Sequence, residues 1–158
     1  MKETLLTVLE NTRLADGIYR LRLAGDTSAI TAPGQFVNLK LSGFFLRRPI
    51  SVCDWENGEV TLIYKVLGHG TEAMTGMAAG TALDVLTGLG NGFDLSRSGE
   101  HPLLVGGGVG IPPLYGLARR LTAQGKRVTA VLGFNRKSEI FLAEEFRALG
   151  AEGVIATA

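Results

Sequence analysis

The chain has 158 residues, 46% of them hydrophobic, with 22 glycines, a single cysteine and a formal net charge of +1. That length can bury a real core in one ordinary domain or two small ones. The near-neutral charge excludes the basic surplus that a nucleic-acid partner needs, and one cysteine excludes a disulfide framework, a four-thiolate iron–sulfur cluster or a cysteine zinc site built from this chain alone.

The start, Met1-Lys2-Glu3-Thr4, lacks the basic-then-apolar pattern of an export signal, so a cytoplasmic location is expected. The first hundred residues then read as strands. Thr4 to Val8 is β-prone, and Ile18 to Leu23 alternates cleanly with period two. Phe36 to Leu41 does the same after a turn at Pro33-Gly34. Ile50 to Cys53 is a short apolar run, Val60 to Leu67 a longer β-branched one, and Ala82 to Leu86 returns to strand character. Only Glu72 to Met77 suggests a helix in this half. Short strands at such spacing predict a small barrel or sandwich.

The pattern changes at the polar segment Ser96-Arg97-Ser98-Gly99-Glu100. Pro102 to Val105 is a buried-type strand, and Leu114, Leu117, Ala118 and Leu121 fall at helical spacing within Pro113 to Thr122. Arg127 to Phe134 is a further strand, Ser138 can cap a helix closed by Gly150, and Val154 to Ala156 reads as a last strand. The sum is βαβαβ, half of a doubly wound nucleotide-binding sheet. The expected fold is a two-lobed α/β protein: an antiparallel barrel over residues 1–98 and a partial parallel sheet over residues 99–158. Residues 101–118 carry no Asp, Glu, Lys or Arg, and so reach the roughly 18 residues of a candidate membrane span. Gly106-Gly107-Gly108, Gly110 and Pro112-Pro113 would break a bilayer helix, so no membrane association is expected.

Two segments carry chemistry. Gly106-Gly107-Gly108-Val109-Gly110-Ile111-Pro112-Pro113 lies between a predicted strand and a predicted helix. There, side-chain-free residues let a phosphate approach the backbone and a helix N-terminus can offer N–H groups. Without a ligand it is simply a tight turn. No acidic residue follows the next strand to hold ribose hydroxyls; Phe134-Asn135-Arg136-Lys137 stands there instead. Arg136 can face a ribose phosphate, favouring NADP, or be a solvated loop residue. The second segment is Arg48-Pro49-Ile50-Ser51, a guanidinium for a pyrophosphate followed by a hydroxyl for the flavin ring edge. Tyr64 on a later strand supports it, as do Gly70 and Thr71, which follow His69 at the opening of the helix. His69 and His101 read as solvated loop residues, and Arg119, Arg120, Lys126 and Arg127 as a solvated helix face and loop. No acid–base constellation is present, as suits a protein whose cofactor carries the chemistry.

Taken together, Leu46 to Asp54, Ile63 to Val66, Gly70-Thr71, Leu89 to Phe93 and the Gly106–Pro113 loop resemble one family. It is the electron-transfer subunit of the NAD-linked (B-type) dihydroorotate dehydrogenase, within the ferredoxin–NADP reductase-like flavoproteins. The resemblance implies an FAD site at Arg48, Pro49, Ile50, Ser51, Ile63, Tyr64, Lys65, Gly70 and Thr71. It implies NAD as electron acceptor at Gly106, Gly107, Gly108 and Gly110. It also implies electrons from dihydroorotate, passed by the FMN of a catalytic partner subunit through a [2Fe-2S] cluster to FAD, in a heterotetramer serving pyrimidine (UMP) biosynthesis. Rival readings are the flavin subunit of another NAD(P)H–ferredoxin, sulfide or hydrogenase complex, and a non-catalytic FAD-binding or docking fragment. Two departures stand out. The family's four cluster cysteines are absent, Cys53 reading as a small buried hydrophobe, and the sheet stops after its third strand. The nucleotide site is therefore expected to be incomplete, and the chain inactive on its own.

Overall fold

The computed structural model describes residues 1–158. Six antiparallel strands close a barrel in the order β1-β2-β5-β4-β3-β6, and three parallel strands form a second sheet, β7-β8-β9. The barrel strands are β1 (Lys2–Ala15), β2 (Ile18–Ala24), β3 (Phe36–Leu39), β4 (Arg48–Glu56), β5 (Glu59–Lys65) and β6 (Ala82–Leu89). A six-residue helix, α1 (His69–Met74), lies between β5 and β6. It begins and ends three residues before the segment expected from the sequence.

Period-two alternation fills the barrel. Leu6, Val8, Leu21, Leu23, Val37, Leu39, Val60, Leu62 and Val85 are buried in one cluster with Tyr64 and Met74. β1 is much longer than its apolar run. Irregularities after Val8 and Arg13 let it pair with β6 through Lys2–Thr7 and with β2 through Thr7–Ala15.

In the second part, β7 (Leu103–Gly107), α2 (Pro112–Ala123), β8 (Thr129–Phe134), α3 (Ala143–Ala148) and β9 (Glu152–Thr157) make the expected βαβαβ unit. Both helices cover one face of the sheet, where Leu104, Ala130, Leu132 and Phe134 meet Leu114, Leu117, Leu121 and Phe146. On the other face Leu103 and Val105 are exposed. Ser138 does not cap a helix. It lies in a single 3-10 turn, Lys137–Glu139, and α3 starts five residues later, after Leu142 in the left-handed region. The reason is packing: Phe141 is buried edge-on to Phe134, which holds the intervening residues out of a helix. The end of α3 is as expected, with Gly150 N–H donating to Arg147 O and Ala151 N–H to Phe146 O.

The two sheets share a core. Ile18, Cys53 and Ile63 point out of the barrel yet are buried, in the same cluster as the residues of α2, α3, β7 and β8. This explains two breaks in alternation: Leu62, Ile63 and Tyr64 are all buried on β5, and an irregularity after Val52 turns Cys53 outward from β4 into the shared core.

Candidate functional site

β4 changes partner along its length. Val52–Glu56 pairs with β5, whereas Arg48–Ser51 pairs only with β3. Beyond the Val52–Leu62 pair, Ile63–Lys65 pairs only with β2. The facing edges of Arg48–Ser51 and Ile63–Lys65 therefore carry backbone groups with no ladder partner, which is what a bound ligand requires. Along β4 the regular register puts Arg48 and Ile50 on one face, Pro49 and Ser51 on the other.

Arg48 is fixed from three sides. Its Nη1 donates to Leu46 O at 2.6 Å, and the guanidinium carbon stands 5.1 Å from the centre of the Phe44 ring. It also packs onto Gly70, where a Cβ would come within 2.7 Å of the Arg48 Cζ. The guanidinium thus sits at the start of α1, beside Thr71. Thr71 Oγ1 accepts the Leu67 N–H at 2.8 Å and donates to Gly68 O at 3.1 Å, so its hydroxyl shapes this loop. The first N–H groups of α1 have no partner within the helix, and Gly68 supplies no side-chain cap. Cation and N–H groups converge, which suits a phosphate. An FAD pyrophosphate fits these residues.

Tyr64, expected among the flavin contacts, turns its side chain into the barrel. The ring is buried and stacked 5.7 Å from Tyr19, and its hydroxyl donates to Asn11 Oδ1 at 3.0 Å. Asn11 Nδ2 in turn donates to Met74 O and Met77 O at 2.7 and 3.2 Å. Tyr64 therefore braces α1 from inside the barrel. Burial pushes its phenol up to about 12 against the opposing Asn11 bond. Ile63 is buried as well, so both residues can offer a ligand only backbone.

Lys65 points the other way, into a cleft of about 630 Å³ at the carboxyl ends of β7, β8 and β9. Gly107, Gly108, Gly133, Asn135, Phe141 and Thr157 line it from the parallel sheet, and Ile18 and Lys65 from the barrel. Ligands of open α/β sheets bind in this position. Of the glycine loop, Gly107 and Gly108 line the cleft; Gly106 packs under Leu114, and Gly110 lies outside. The expected N–H donors of the following helix are missing. Its first two residues are Pro112 and Pro113, the Ile111 N–H goes to Gly108 O and the Leu114 N–H to Ile111 O. An anion here would meet the loop's own backbone and Lys65, not a helix N-terminus. Lys65 Nζ meets Glu139 Oε1 at 3.2 Å, and Asp16 N–H donates to Ser138 O at 2.9 Å, so barrel and sheet are tied across the cleft.

Arg119 and Arg120 are not a solvated face. Both reach the barrel at Asp54. Lys126 is likewise engaged, donating to Ser98. Sequence reading missed Asp54, Gly133, Asn135 and Glu139. The Asn135 position is visible only as the residue following a strand end, and Asp54 only as the last residue of the Leu46–Asp54 run, with no role attached. Cys53 is buried in the shared core as expected, and burial together with Asp54 and Glu145 pushes its thiol up. With one inaccessible thiol and no group of three metal-binding side chains, the residues of this chain do not fit a [2Fe-2S] cluster. No helix is long and apolar enough to cross a membrane.

No family model matches the chain. Among curated proteins it is 46% identical over 158 residues to the dihydroorotate dehydrogenase B (NAD(+)), electron transfer subunit, of Bacillus pumilus, covering 95% of this chain and 61% of that protein. The same subunit of Bacillus velezensis is 45% identical over 166 residues, covering 100% and 64%, and that of Fusobacterium nucleatum 41% over 152 residues, covering 91% and 59%. The chain thus spans about three-fifths of the length of these relatives. Among solved structures, an NADH-dependent reduced ferredoxin-NADP oxidoreductase superposes with a TM-score of 0.86 at 29% identity, covering 98% of this chain and 57% of that one. A ferredoxin reductase of carbazole 1,9a-dioxygenase gives a TM-score of 0.89 at 20% identity, covering 99% and 50%, a likeness of fold alone. The chain has the fold of the ferredoxin reductase-like flavoproteins, and over nine-tenths or more of its length its sequence is similar to dihydroorotate dehydrogenase B (NAD(+)) electron transfer subunits.

Proposed function

We propose that this chain is the flavin- and nucleotide-binding part of an electron-transfer subunit that passes electrons from a dihydroorotate-oxidising subunit to NAD⁺. The observation that carries the reading is the Arg48–Gly70 contact at the head of the unladdered edges of β4 and β5. A fixed cation, free helix N–H groups and unpaired strand edges meet there, in a chain 46% identical to a named electron-transfer subunit. Residues 1–98 would hold FAD, through the side chain of Arg48, the N–H groups of Gly70 and Thr71, and the edges Arg48–Ser51 and Ile63–Lys65. Residues 99–158 would receive NAD along the cleft at Gly107, Gly108 and Asn135. Bound in these places, FAD supplies two-electron chemistry that can exchange a hydride with the nicotinamide.

The residues of this chain bind, orient and exclude water; none is positioned as an acid or base. The partner would be the catalytic subunit, in a heterotetramer located in the cytoplasm. The test is co-expression with a dihydroorotate-oxidising subunit, followed by co-purification and dihydroorotate-dependent reduction of NAD⁺. A complex that forms and reduces NAD⁺ supports the reading. No complex, in a chain that still binds FAD, moves the assignment to another NAD(P)H-linked flavin system.

A further inference from the structure

Asp54 lies on β4, six residues after Arg48, and faces α2, the helix that follows the glycine loop. Arg119 Nη2 donates to its Oδ1 at 3.0 Å, while Nε stands 2.9 Å from Oδ2 without hydrogen-bond geometry and has no other partner. Arg119 also donates to Trp55 O at 3.3 Å and lies 3.6 Å from Glu56. Arg120 stacks over the Trp55 ring, 3.7 Å from its centre, donates to Gly116 O at 3.0 Å, and stands 3.5 Å from Asp54 Oδ1. Gly116 lets the helix come this close, since a Cβ there would be 2.7 Å from Cys53 O.

We propose that Asp54, Arg119 and Arg120 are positioning residues that set the angle between the flavin strand β4 and the nucleotide-loop helix α2, and through it the alignment of nicotinamide with flavin. This rests on the function proposed above. The apolar contacts of the shared core set a packing angle only through shape, since the attraction itself is non-directional. A charge-assisted hydrogen bond is directional, and Arg119 Nη2 bonds both Asp54 Oδ1 and Trp55 O on β4. The lever is long: Gly108, which lines the cleft, lies eleven residues before Arg119, about 16 Å at ~1.5 Å per residue. A tilt of about 4° at the pair displaces the loop by about 1 Å over that length. A misplacement of that size can cost about a hundredfold in rate.

The test has two readouts on the full chain. Spin labels at Glu72→Cys on α1 and Gln124→Cys at the end of α2 report the angle without any cofactor; both sites are exposed, and buried Cys53 stays unlabelled. The limiting rate of protein-bound flavin reduction by NADH reports alignment. Arg119→Ala is expected to broaden the label distance and lower the limiting rate about tenfold or more, with flavin content and NADH affinity within about twofold of the parent. Arg119→Lys, which keeps the charge but loses the planar guanidinium that reaches both Asp54 and Trp55 O, should fall between, and serves where the alanine variant does not fold. An unchanged label distance, or an unchanged rate beside a broadened distance, overturns the proposal. A parent chain that takes up no flavin refutes the function proposed above, while the label distance still decides whether the pair sets the angle.

Discussion

Arg48 and Gly70 come from different elements, β4 and α1, and touch: a Cβ on Gly70 would lie 2.7 Å from Arg48 Cζ. The atom it meets belongs to a side chain and not to backbone, so a methyl there would drive the guanidinium off its contacts with Leu46 O and Phe44 without moving the fold. Gly70→Ala is therefore expected to shift Tm by under about 2 °C while displacing the guanidinium. FAD binding, followed by fluorescence titration, should weaken about tenfold, as for a lost charge-assisted hydrogen bond.

The same distance at Gly116 has the opposite consequence. There the Cβ would sit 2.7 Å from the Cys53 carbonyl, which is backbone and cannot swing away. Gly116→Ala must push α2 off β4. It should cost about 1–3 kcal/mol, seen as a drop in Tm of roughly 2–4 °C per kcal/mol for a chain of this size.

Tyr64→Phe removes a hydroxyl and leaves Asn11 Oδ1 without its donor. The expected loss is about 1–3 kcal/mol, read by chemical denaturation. Because Asn11 holds the end of α1, amide exchange in residues 69–77 should quicken more than in β8. The phenol itself should titrate near about 12 in a UV pH titration of the folded chain.

Acid stability carries a further prediction. Glu10 accepts bonds from Arg20, Thr12 and Arg22, and these hold its carboxyl down at about 2. A depressed carboxylate stabilises the fold above its unfolded pKa, and that stability fades as pH falls toward the folded value. Glu10→Gln should therefore be less stable than the parent at pH 6–7. The gap should start to close below about pH 4.5 and vanish near about pH 2.

Much of this was legible in the sequence, and the parts that were not have physical reasons. The strand, glycine loop and helix from Leu103 to Ala123 can be read because an apolar run ahead of a glycine cluster marks the strand and the helix face prints its period directly, although Leu103 and Val105 lie exposed on the sheet's open face. The barrel interior was legible for the same reason. Residues Glu10 to Arg13 do not read as strand, because all four are polar and nothing apolar alternates there, although they pair with Tyr19–Arg22 of β2. Tyr64 was placed at the site by motif, yet its hydroxyl is spent on Asn11, 53 residues away in the chain. Asp54 and Arg119 were invisible as a pair because 65 residues separate them. Charges at that separation meet only once the barrel and the sheet have packed on a shared core.

Arg48, Gly70 and the parted edges of β4 and β5 make up the proposed flavin site. Its most direct test is equilibrium binding of FAD to this chain, by flavin fluorescence and visible absorption, for the parent and Arg48→Ala. The account predicts saturable binding with a shifted flavin spectrum, weakened about tenfold to a hundredfold in the variant. Free-flavin fluorescence left unchanged by the parent, or equal binding by the variant, would contradict it.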